Sequence, residues 1–251
     1  MTILQNVDPV YMLQPLIVIG FSIGTILYWH RKEPITKYVL GFSLLAYGGA
    51  VVAKVAFQYL TAPTFLSLSQ GSLWLLGLYL GLQTVFFEVG GAFLVARFAV
   101  SRRWMKKSDG VGYGLGLAFW ENGVLLGATS LLSLIFYSIT ISDGGVAAEN
   151  LYSLLSGSQP QLFYAPLQAL PFIAWGILER ISSLMAHLSW GHLCVKSAVT
   201  RRKKYLFLAL PMGLIDFLVP FAATMPTSLF EIIVFMLASL CVLATVYATR
   251  K

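Results

Sequence analysis

Long apolar runs separated by short polar breaks organise this chain. The first, Val10 to Trp29, ends at His30-Arg31-Lys32-Glu33-Pro34, and the second, Tyr38 to Leu60, passes into an uncharged segment, Thr61 to Ser72. The third extends from Leu73 to Val100 and stops at a basic cluster, Arg102, Arg103, Lys106 and Lys107. The fourth, Gly110 to Ile139, leads into the polar stretch Thr140 to Gln161, which is read here as a loop that lids a cavity, meets a partner or stays disordered. The fifth covers Leu162 to Val199, with Pro171 expected to kink it or to mark where the span begins. Tyr205 to Ala223 and Ser228 to Thr249 complete a set of seven. Each run is about 20 residues or longer, enough to cross a hydrocarbon core as a helix, and too long for a barrel strand. In lipid every backbone polar group needs an internal partner, so the runs are expected to be helices. The fold class is therefore all-α: a polytopic membrane protein of seven transmembrane helices, forming a single integral-membrane domain over residues 1–251.

Composition agrees, with 58% hydrophobic and 11% charged residues. No ordinary soluble domain has that balance. A net charge of +7 raises the question of a nucleic-acid partner, but the basic residues sit in clusters between apolar runs. Fourteen of the 17 lie after spans one, three and five or at the C-terminus, and the opposite loops carry none. By the positive-inside rule this predicts an external N-terminus, a cytoplasmic C-terminus and residence in the cell membrane; nucleic acid is not an expected partner. No basic segment precedes the first run, so no cleavable signal peptide is expected. Cys194 and Cys241 have neither metal-ligand nor disulfide spacing and read as buried free thiols.

Candidate chemistry enters with Asp109 to Gly127, DGVGYGLGLAFWENGVLLG, an apolar stretch that opens on glycines 110, 112, 114 and 116 and carries one intramembrane carboxylate, Glu121. Glycines let helices approach closely, and an ionisable group in hydrocarbon is costly enough to suggest function. Counted from the nearest basic cluster, Glu88, Glu121 and His187 each lie 14 residues in and Asp216 lies 12 in. At about 1.5 Å per residue, all four sit roughly 18–21 Å from the basic belt. Four spans thus offer a polar group at one depth. Glu179 lies further out on the fifth span, and Arg180 shares a face with His187. Each residue alone also has a structural reading: Arg180 neutralising Glu179, Lys54 and Arg97 snorkelling to the headgroups, His192 packing near the cytoplasmic end. The common layer favours a site, because several acids at one level need a shared proton, cation or water. Glu231 is left outside it.

Phe87-Glu88, then Gly114-Leu115-Gly116 to Glu121, then Glu179-Arg180 with His187 seven residues beyond, then Asp216, resemble the motifs of the YhfC-type intramembrane proteases, of the PrsW-like and CAAX-processing (CPBP, Abi) group. The resemblance covers most of the chain and implies cleavage of a membrane-embedded peptide by a glutamate-activated or metal-assisted water. It implies a catalytic set of Glu88, Glu121, His187 and Asp216, with Glu179 and Arg180 in support. The pattern is departed from where Val89 and Ala92 replace a second glutamate and an arginine, where Leu117 and Ala118 replace a histidine and a glycine, and where Met212 replaces a histidine. A zinc site of three protein ligands would then need His187 plus carboxylates from Glu88, Glu121 or Asp216.

Two classes of function follow: an intramembrane endopeptidase, or a non-catalytic multi-pass protein. The second would be a pseudoprotease binding a membrane helix, a transporter or channel-like subunit, or a scaffold in a membrane complex. Beyond the lipid bilayer, the partner is accordingly a transmembrane substrate or a complex subunit. The departures point to the second class. The chain has no phosphate-binding loop, HExxH, GxSxG or GxGD motif, so no nucleotide cofactor site is expected. The resident metal, if any, is not specified by the sequence.

Overall fold

A computed structural model describes residues 5–250, which form helices joined by short turns, with no strand among them. Seven helices are long and apolar enough to cross a membrane: α1 (Pro9–Lys32), α2 (Lys37–Ser69), α3 (Leu73–Ser101), α4 (Asp109–Asp143), α6 (Pro166–Thr200), α7 (Lys203–Thr224) and α8 (Thr227–Thr249). Between α4 and α6 lies α5 (Gly145–Ser158), which is too short and polar to join them. Large apolar side chains face outward along the spans, as at Tyr59, Leu132, Leu167 and Leu243. That is the surface expected of a protein dissolved in lipid.

Three boundaries differ from those the hydropathy pattern predicts. The uncharged segment after Leu60 continues α2 to Ser69, through Pro63, because nothing in it ends a helix before Gln70-Gly71, where φ turns positive. The stretch Thr140 to Gln161 is helical rather than an open loop: α4 extends to Asp143, Gly144 turns at φ 74°, and α5 follows. Apolar residues in that stretch, Ile141 and Leu155, pack with Val7, Tyr11, Leu162 and Ile173 in a small second core, so its polar composition conceals an amphipathic element. Finally, α6 begins at Pro166, a residue suited to a first helical turn, and runs through Pro171. Of the two thiols, Cys194 is buried while Cys241 is only partly covered.

The larger core lies between α2, α3, α4, α6 and α7. At its centre, α6 packs along α4 and α8 and also touches α1, α3 and α7. Glycines set these crossings. A methyl group at Gly114 would sit 2.7 Å from Leu188 Cα and carbonyl oxygen, and one at Gly191 would sit 2.5 Å from Gly114 Cα. The α4 and α6 backbones therefore touch at this point. On the opposite face of α4, Gly112 and Gly116 lie against Ile35 and Ser43. Further along, Gly123 and Gly127 admit Ser22 and Ile19 of α1. On the other side of the bundle, Gly77 and Gly81 accept Phe217, and Gly213 meets Val85, which draws α7 onto α3. Small residues at crossings are how membrane helices gain contact without a hydrophobic driving force.

Candidate metal centre

Two of these crossings place the polar layer. His187 lies one turn from the Gly114–Gly191 contact along α6, and Glu121 lies two turns from it along α4. Val85, which packs on Gly213, and Thr84 lie within one turn of Glu88 on α3, and Asp216 lies three residues from Gly213 on α7. Both glutamates stand where an α-helix widens. Thr84–Val89 and Phe119–Ala128 are wound as π-helix, and Asp216 lies in a 3-10 segment, Leu210–Thr224. Such departures from α geometry re-aim side chains and recur at functional sites.

Glu88, Glu121, His187 and Asp216 line one cavity of about 250 Å³, together with Lys54, Tyr47, Glu179 and Arg180. Within it, the atoms divide into an anchored set and a convergent set. Glu88 Oε1 is held by Lys54 Nζ at 2.5 Å, and Thr84 Oγ1, 3.4 Å from it, donates more closely to Asp216 Oδ2. Glu121 Oε1 accepts from Ser183 Oγ at 3.0 Å and from Arg180 Nη1 at 3.4 Å. His187 Nδ1 lies 2.9 Å from the Ser183 carbonyl oxygen, to which it can only donate. That bond fixes the tautomer with a lone pair on Nε2. The remaining atoms face one another: His187 Nε2 is 2.9 Å from Glu121 Oε2 and 3.6 Å from Glu88 Oε2.

His187 is 3% exposed, its Nε2 lies between two carboxylate oxygens, and among the described residues no donor or acceptor completes a well-aligned hydrogen bond to it. Three lone-pair donors aimed at one point suit a cation. One donor atom from each of Glu88, Glu121 and His187 lies within 4.8 Å of the others, the grouping a bound metal needs. Ligand atoms about 2.0–2.2 Å from a tetrahedral zinc are separated by roughly 3.4 Å, a value the two measured distances bracket. Charge agrees as well: Glu88, Glu121, Glu179 and Asp216 face Lys54 and Arg180 in this cavity, a deficit of two positive charges that one divalent ion would supply.

Asp216 shares the cavity without joining the converging donors; it is held by Thr84 and lies 3.6 Å from Lys54 Nζ. Glu179 and Arg180 pair with each other, and Arg180 also donates to Asn122 Oδ1 at 3.2 Å, so the pair closes one end of the cavity. Lys54 does not snorkel. It turns inward to Glu88, whereas Arg97 is exposed. The sequence reading missed Thr84, Ser183 and Asn122, although Thr84 and Ser183 stand four residues before Glu88 and His187, on the same helix faces.

The positions where histidines were expected lie elsewhere. Leu117 and Met212 are 2% and 5% exposed in the apolar core and do not line the cavity. Ala92 and Val89 are buried there too, and the Ala92 carbonyl accepts from Tyr113 Oη at 2.9 Å. His192 packs over Gly110, away from the site.

Residues 16–240 match the sequence model of a family described as YhfC intramembrane metalloprotease. No curated protein and no solved structure gives a significant match to the chain.

Proposed function

The chain belongs to the YhfC intramembrane metalloprotease family, and from that premise we propose that it is a working metal-dependent endopeptidase that cleaves peptides within the membrane. The observation that carries this reading is the convergence of Glu88 Oε2, Glu121 Oε2 and His187 Nε2, each on a side chain whose other polar atom is anchored. A divalent ion held by these three residues would supply Lewis acidity toward a peptide carbonyl and toward water.

The chain's own groups supply the rest. Asp216, held by Thr84 but outside the ligand set, is the carboxylate free to take a proton from water and return it to the leaving amine. Lys54 pairs with Glu88 and lies 3.6 Å from Asp216, offsetting part of the negative charge of both. Arg180 does the same for Glu121 and Glu179. Tyr47 and Trp190 pack against the His187 ring and restrict its rotation. The departures at Val89, Ala92, Leu117, Ala118 and Met212 are all buried among apolar residues, and the three donors converge without them. The charge distribution supports an external N-terminus, which places the Glu179–Arg180 end of the cavity toward the outside.

The test is cleavage of transmembrane peptides by the purified full-length protein in liposomes, with and without a divalent-metal chelator. Chelator-sensitive cleavage that His187→Ala removes is expected. Cleavage that persists at full rate in a metal-free preparation would refute the metal reading, and none under any metal would refute the peptidase reading.

A further inference from the structure

A second cavity, larger at about 570 Å³, adjoins the metal centre. Glu179 and Arg180 line both. Along α8 the two are stacked, with Phe230 and Val234 facing the metal centre and Thr227 and Glu231 facing the second cavity. Glu231 is only 5% exposed there, and among the described residues its Oε2 has no hydrogen-bond donor. The cation on this wall, Arg180, is already engaged by Glu179, Glu121 and Asn122. Leaving a buried polar atom without a partner is unfavourable, so this wall of the cavity offers an acceptor that a donor from outside the chain could satisfy.

We propose that this cavity is a substrate subsite in which Glu231 receives an ammonium group of the peptide to be cleaved. The inference rests on the peptidase reading and adds a substrate class to it. A bound metal ion would require more free donors than Glu231 alone provides, since Glu179 is paired with Arg180. An ammonium needs only one charge-assisted partner, and the aromatic residues Trp175 and Tyr137 also line the cavity. The geometry also sets a register. Arg180, at the junction of the cavities, is seven residues from His187 on one helix, or about 10 Å. An extended peptide covers about 3.3–3.6 Å per residue, so an ammonium beyond that junction belongs at least about three residues from the scissile bond. A lysine side chain and a free N-terminus both provide it.

The experiment measures binding of fluorescein-labelled transmembrane peptides to the full-length protein in detergent. One series walks a single lysine along the peptide against norleucine controls; a second compares free and acetylated N-termini at stepped chain lengths. At one register, lysine or the free amine is expected to bind at least about tenfold tighter than its neutral control. Glu231→Gln, which keeps the shape, should reduce that preference to below about twofold. Should Glu231→Gln fail to fold, Thr227→Lys supplies an ammonium one turn away and should erase the preference in cis. No preference at any register, or one that survives both substitutions, would overturn the subsite. Cleavage without a cation preference would overturn the subsite alone, and a preference without cleavage would overturn the peptidase reading alone.

Discussion

Gly114→Ala tests whether the α4–α6 crossing positions the centre. The added methyl would lie 2.7 Å from both Leu188 Cα and its carbonyl oxygen. Ordinary carbon contacts begin near about 3.5 Å, so the helices must separate by roughly 0.8 Å, or the backbone must bend. Neither contact atom is a flexible side-chain end, and overpacking of this kind costs about 1–3 kcal/mol. Glu121 and His187 ride on the two helices being forced apart, and their contact of 2.9 Å would lengthen by a similar amount. A displacement near 1 Å at reacting groups costs about 10²-fold in rate. The assay is thermal unfolding in detergent together with metal affinity and peptide cleavage. Gly24→Ala is the control, because a methyl there meets nothing within 4 Å. Gly114→Ala should melt below the wild type and lose metal affinity, while Gly24→Ala should do neither. Equal melting and equal metal binding for both variants would refute the claim that this contact sets the site.

Lys54→Met should weaken metal binding by about 10–100-fold, the effect of losing an outer partner that orients a ligand, as metal titration of the purified variant would show. Leu117→His should lower the melting temperature without improving metal affinity, because the position lies in the core; a gain in affinity would return that residue to the ligand set. Saturating the protein with divalent metal should raise its melting temperature, by about 2.7 kcal/mol of stabilisation at 100 times the dissociation constant, with His187→Ala showing no such shift. For topology, a cysteine at Ser142 should react with an impermeant thiol reagent from outside and one at Ser101 should not, in a background without Cys194 and Cys241.

Much of the frame was legible because depth in a membrane is a sequence coordinate. Apolar length located seven spans, and counting from the basic clusters brought Glu88, Glu121, His187 and Asp216 to one level. Depth does not give azimuth, however. Which face of its helix each group presents depends on the π-helical turns around Glu88 and Glu121, which break the 3.6-residue repeat and leave no compositional mark. For that reason Asp216 could not be separated from the donors, nor Lys54 recognised as facing inward. The setting of the missing histidines was hidden for the same cause: a motif shows that a residue has changed, not that Leu117 and Met212 lie in the core. Glu231 is left out of the layer because the direction it faces on the final span cannot be read from the sequence; only the fold shows that it lines the second cavity.

The most direct measurement is metal content. Full-length protein purified after equilibration with zinc, then freed of loosely bound ions, should hold about one ion per chain, with an X-ray absorption spectrum showing nitrogen and oxygen ligands near 2.0–2.2 Å and no sulfur. His187→Ala, Glu88→Gln and Glu121→Gln should each lose the ion while remaining folded. A wild-type protein that binds no divalent metal, or any of these variants retaining the ion at wild-type affinity, would contradict the assignment.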